Sequence, residues 1–203
     1  IIHVITSLTF KNDLNKPGTA PHIAPANIPP KNAINQTNIG GTTLVGIERA
    51  KIKVTARRIV FGKFLNCGQT CVAPDYVICH SSVKEQLIKE ICKQIKIQYG
   101  ENILDNHEYG KIVNEKHFNR ICSLIDNNKV IFDGDKSLEK LKIGPTVMDN
   151  VSWDDAVMQE EIFGPILPVL TFETYEELYS LFANKPKPLA LYIFSENKKR
   201  IDE

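Results

Sequence analysis

The residues best suited to chemistry lie in Phe61-Gly-Lys-Phe-Leu-Asn-Cys-Gly-Gln-Thr-Cys71-Val-Ala-Pro-Asp-Tyr76. A basic, apolar, helix-like run from Ile52 to Phe64 leads into this stretch, and Gly68 breaks it. Glycine takes backbone conformations that other residues resist. Pro74-Asp75 then opens the apolar run Tyr76-Val-Ile-Cys79. Cys71 therefore falls on a turn between a helix and a strand, where backbone amides can point at its thiol. Exposed amides and a helix end stabilise thiolate, which makes Cys71 a candidate nucleophile. The plainer role for a single cysteine is a small buried apolar residue. A second string, Met158-Gln-Glu-Glu-Ile-Phe-Gly-Pro165, sets two adjacent carboxylates before an aromatic. Taken alone, it reads as a solvated turn. The histidines have no metal-ligand spacing, and Cys67-x-x-x-Cys71 is not a zinc pair, so no metal is expected.

The whole string Phe64-Leu-Asn-Cys-Gly-Gln-Thr-Cys-Val-Ala-Pro74 resembles the active-site cysteine signature of the aldehyde dehydrogenase superfamily. Its continuation Ala73-Pro-Asp-Tyr76 resembles the class 3 branch, the fatty or aromatic aldehyde dehydrogenases. By that resemblance Cys71 attacks the aldehyde carbonyl, while Cys67 stands where the family tolerates several residues. Gln159-Glu-Glu-Ile-Phe-Gly-Pro165 is similar to the family's nicotinamide-side motif. The resemblance implies that Glu161 accepts from the nicotinamide ribose hydroxyls of NAD or NADP and that Phe163 packs beside the ring. Both roles suit the residue types, since a carboxylate accepts from two vicinal hydroxyls and an aromatic edge fixes a planar ring. Gly110-Lys-Ile-Val-Asn114, His117-Phe118, Gly144-Pro-Thr-Val147 and Lys187-Pro-Leu-Ala-Leu-Tyr192 resemble class 3 members in the same order. The match runs from about Ile52 to Glu203. It implies oxidation of a small-molecule aldehyde to a carboxylic acid through a cysteine thiohemiacetal and thioester. A homodimer is one assembly consistent with it, the oligomeric state staying open.

The first fifty residues fit that family less well. Lys16-Pro17 is similar to a Lys-Pro that contacts the adenosine ribose. Gly41-Thr-Thr-Leu-Val-Gly46 resembles a cofactor turn, and Ile39-Gly-Gly41 resembles the end of the motif that carries the general base. The last two compete for the same glycines, and under the second Asn38 replaces the glutamate base. Too few residues precede Cys71 to build the family's dinucleotide-binding domain, and the chain stops short of its closing segment. The alternative expectation is an inactive fragment or pseudoenzyme lacking the base. A cysteine hydrolase, with Gln69 before Cys71 and His80, His107 and His117 downstream, is a third reading with little support.

Stepwise periodicity supplies the elements that must position these residues. Val83, Leu87, Ile88, Ile91 and Ile95 recur at helical spacing, with Ser82 and Glu85 as a capping box and Gly100 as the stop. Phe118, Ile121, Cys122 and Ile125 mark a second amphipathic helix, and Thr174-Tyr-Glu-Glu177 a second capping box. Lys129-Val-Ile-Phe132 reads as a short strand. Ile166 to Phe172 reads as another, placed by Pro168 at an edge or a bulge. Leu189 to Phe194 reads as a buried strand. Alternating strands and helices predict an α/β fold with a mainly parallel sheet and flanking helices. Proline-dense residues 1–50 are expected to form an irregular remnant of the dinucleotide-binding domain, and 51–203 the catalytic domain. A net charge of +1 gives no electrostatic case for nucleic acid. No apolar run reaches the length of a membrane span. Five cysteines, an odd and irregularly spaced set, suit reduced thiols in the cytosol.

Overall fold

Helices form where apolar residues recur at helical spacing, isoleucine among them, and strands where short apolar runs are continuous. The computed structural model describes residues 2–6, 44–183 and 188–195. In chain order these form β1 (Ile2–Thr6), α1 (Leu44–Phe64), β2 (Tyr76–His80), α2 (Ser81–Tyr99), α3 (Glu115–Ser123), β3 (Val130–Phe132), β4 (Lys136–Ser137), β5 (Lys142–Ile143), β6 (Thr146–Met148), β7 (Ile166–Phe172), α4 (Tyr175–Ala183) and β8 (Ala190–Phe194). Lys16-Pro17, Asn38 and Ile39-Gly-Gly41 lie outside the described residues. Leu44-Val-Gly46, expected in a turn, belongs to the first turns of α1. That helix passes unbroken through position 50, and β1 pairs antiparallel with both β2 and β8.

The main sheet has the order β3-β6-β7-β2-β1-β8. Its centre is parallel: β6 pairs β7 from Thr146↔Ile166, and β7 pairs β2 from Val77↔Val169. Through the antiparallel β1, strand β8 runs in the same direction as β2, so the α/β fold with a mainly parallel sheet stands. Alternating side chains divide the centre between two apolar layers, as the pleat requires. Val77, Cys79 and Val169 join α1 and α2 in one core. Tyr76, Ile78, Leu170 and Phe172 pack with Leu178 of α4 in the other. On α2 the predicted stripe is the buried one: Leu87, Ile91 and Ile95 are each 0% exposed. Each such side chain contributes about 1.5–3 kcal/mol on burial.

Three local expectations are corrected. β7 lies between β6 and β2, not at an edge. Pro168 pairs with Met148 but precedes the ladder to β2, which starts at Val169, so its missing amide falls near the strand's start. Among the described residues β8 is itself the sheet edge, and Leu191 and Tyr192 are exposed, so its apolar run is not a buried strand. Finally, α2 is capped by His80, whose Nδ1 accepts from Ser82 N at 3.2 Å, in place of a Ser82–Glu85 box. The second box is present in substance: Thr174 Oγ1 accepts from Glu177 N, and Glu177 Oε2 accepts from Glu173 N.

Candidate active site

Helix α1 delivers the chain to the site and then stops abruptly. A single 3-10 turn, Leu65–Gly68, follows Phe64, with Asn66, Cys67 and Gly68 at φ of 50°, 56° and 72°. Left-handed backbone costs a non-glycine residue about 1–2 kcal/mol, so something must hold this turn. Gln69 does much of it. Its Nε2 donates to Lys111 O at 2.8 Å and Asn66 O at 3.1 Å, and its Oε1 accepts from Val113 N at 2.9 Å. The side chain thus ties the turn to the extended segment 111–113. Cys67 packs inward against Gly110, where an added Cβ would lie 3.3 Å from its Sγ. Burial pushes the Cys67 thiol up to about 11, so it stays protonated and unreactive near neutral pH.

Cys71 differs in being exposed, on the turn that leads to β2. Ala73 N donates to Thr70 O at 3.0 Å and closes that turn. Among the described residues no acceptor takes the Cys71 N–H, which stands beside its own thiol. Tyr192 of β8 donates its hydroxyl to Val72 O at 3.1 Å, bracing the turn from the sheet edge.

The segment carrying Glu161 and Phe163 is docked onto this turn at two points. Gly68 meets Gly164 so closely that a Cβ built on Gly68 would lie 2.4 Å from Gly164 O. Asp75 Oδ1 accepts from Ile162 N at 3.1 Å in a buried bond. Arg120 of α3 clamps the segment from the other side. It donates through Nη2 to Ile162 O at 2.6 Å, and through Nη1 to Glu161 O at 3.3 Å and Glu160 Oε1 at 3.2 Å. The structure therefore brings all three predicted residues, Cys71, Glu161 and Phe163, to one region. Phe163 has φ of 45° and is exposed, while Glu161 is half-buried. Burial, and then the Asp75 carboxylate, raise the Glu161 carboxyl above the ordinary range; Lys63 and Arg120 oppose them. A carboxylate and an open aromatic ring on one loop beside an exposed thiol fit a ribose diol and a planar heterocycle. Among the described residues no cluster of three or more His, Cys, Asp or Glu could hold a metal, and no helix is long and apolar enough to cross a membrane.

Sequence reasoning missed Lys63, Asp75 and Arg120. For Lys63 the signal was present: Ile52, Ala56, Ile59 and Lys63 follow one stripe of α1, and the lysine is 1% exposed. Arg120 gave no such signal, because its partners, two backbone carbonyls and the Glu160 carboxylate, lie on a loop some forty residues away.

A turn built around an exposed cysteine, locked to a Glu-Ile-Phe-Gly loop at the end of a largely parallel sheet, is what a known family shares. Residues 35–203 match the sequence model of the aldehyde dehydrogenase family, and the chain belongs to that family. Within it the chain is of the class 3 type. It is 47% identical over 161 residues to the 4,4'-diaponeurosporen-aldehyde dehydrogenase of Staphylococcus aureus, which covers 78% of this chain and 35% of that protein. It is 43% identical over 164 residues to aldehyde dehydrogenase family 3 member A2 of Rattus norvegicus, covering 80% and 34%. Among solved structures, a substrate-bound Staphylococcus aureus AldH superposes with a TM-score of 0.72 at 46% identity, over 74% of this chain and 33% of that one. The chain spans about a third of the length of these relatives.

Proposed function

We propose that this chain carries the nucleophile and the nicotinamide-side loop of an NAD(P)-dependent aldehyde dehydrogenase. Residues 51–203 supply a portion of the catalytic domain. The observation that supports this reading best is the double docking of the 158–165 segment on the cysteine turn, through Gly68 and Asp75, with Cys71 left exposed. In the reaction, the Cys71 thiolate forms a C–S bond to the aldehyde carbon, and the carbonyl π electrons move to oxygen. The Cys71 N–H, free of other acceptors within the described residues, would hold that oxyanion. A donor of this kind is worth about 2.7–4 kcal/mol in a closed site. NAD(P)⁺, when bound, supplies the acceptor for the hydride that leaves as the carbonyl re-forms. Glu161 would accept from the ribose hydroxyls and Phe163 would pack against the ring of that group. Water then adds to the thioester, the C–S bond breaks, and the acid and the thiolate are released, one proton passing to a base.

The test mixes the purified chain with excess NAD⁺ or NADP⁺ and a medium-chain aldehyde, and follows nicotinamide absorbance in stopped flow. Steady turnover is the outcome expected of a chain that holds both cofactor and base. A burst of one equivalent followed by silence would leave Cys71 competent without its base. No signal with either nucleotide would overturn the reading of this chain as an active enzyme and favour a non-catalytic piece of the family.

A further inference from the structure

Lys63 is 1% exposed, yet among the described residues no acceptor stands within direct hydrogen-bond distance of its Nζ. The nearest opposite charge is Asp75 Oδ1 at 4.0 Å, itself buried. That same oxygen accepts from Ile162 N, the amide next to Glu161. A buried ammonium without a direct acceptor costs stability, so its retention on an otherwise apolar helix stripe asks for a use. Asp75, ahead of β2, thus joins Lys63 to the docked loop of Glu161, whose carbonyls at 161 and 162 Arg120 holds from α3. The Asp75 charge opposes ionisation of Glu161, and the Lys63 charge favours it.

We propose that Lys63 is a positioning residue: its buried ammonium offsets Asp75 so that Glu161 is ionised and held in place to accept hydrogen bonds. This rests on the proposed cofactor role of Glu161, but only in its last step. Lys63 touches no reacting atom; it acts through Asp75 and Glu161. The charges agree in direction. Burial lowers the Lys63 ammonium to about 8, and Asp75 and Glu161 each pull it back up, while Lys63 lowers the Glu161 carboxyl that Asp75 raises.

The experiment follows the Glu161 side-chain carboxyl by ¹³C NMR titration of the full chain, assigned with Glu161→Gln. NAD⁺ and NADP⁺ affinity is measured in parallel by isothermal titration. In Lys63→Met the Glu161 midpoint should rise, and nucleotide affinity should fall below that of the wild-type chain as the pH is lowered toward that midpoint. The double variant Lys63→Met/Asp75→Asn, which removes both buried charges, should return the midpoint toward the wild-type value; it also serves if Lys63→Met alone does not fold. A loss of packing alone would not move the midpoint up and then back. An unchanged Glu161 midpoint in Lys63→Met would overturn the proposal, as would a double variant that fails to restore it. If the midpoint moves as stated but the wild-type chain binds neither nucleotide, the positioning holds and the cofactor reading fails.

Discussion

At the scale of single residues, the five cysteines divide by environment. Cys71 is exposed, whereas Cys67 and Cys79 are buried and their thiols are pushed up to about 11 and about 12. Brief alkylation at pH 7.5 followed by peptide mapping should label Cys71 first, and Cys71→Ser should remove the fast phase. Equal labelling of Cys67 would mean the turn is open in solution. Lys63 gives a second prediction. Its folded value of about 8 lies below the 10.5 of the free side chain, so between those values the unfolded chain binds a proton that the folded chain does not. Stability should therefore rise with pH across that window, on the order of 3 kcal/mol in all. In Lys63→Met, denaturant unfolding should show this rise abolished. Cys71 was legible in the sequence because its neighbours form a recognisable string. Lys63 left a trace, falling on the buried stripe of Ile52, Ala56 and Ile59; Asp75 left none, because its partner Ile162 lies 87 residues away.

Among elements, the site depends on a turn that three hydrogen bonds from Gln69 fasten to segment 111–113 and to Asn66. Gln69→Ala should cost about 2 kcal/mol and make Cys67 accessible to alkylation before global unfolding. Gly68→Ala should be worse, since the new Cβ meets Gly164 O at 2.4 Å and φ is already 72°. A loss of several kcal/mol, read as a fall in denaturation midpoint, is expected. Helices were the most legible elements, because α2 and α3 show their apolar spacing directly. Strand burial was less so. The run Leu189 to Phe194 is apolar enough for an interior strand, yet β8 lies at an edge, and composition does not report which strand has two neighbours. Pro168 misled in the opposite sense: its cost is small where β7 has not yet met β2.

For the molecule as a whole, the parallel centre is flanked by antiparallel pairings, with β3 and β8 outermost among the described residues. Hydrogen exchange should be slowest at Val77–Cys79 and Val169–Phe172, where two apolar layers cover the sheet, and fastest along β8. Uniform protection across both would contradict this arrangement. The fold class followed from the order of elements, but the joining of β1 to β2 and β8 did not, because antiparallel pairing across so long a separation has no local signature. That same separation bears on how the molecule is made. Asp75 meets Ile162 across 87 residues. A ribosome adds about 5–20 residues per second, so the cysteine turn waits roughly four to seventeen seconds for the loop that locks it. During that interval Gly68 and Asp75 lack the partners they meet at 162 and 164, and the turn that presents Cys71 is unfastened on that side.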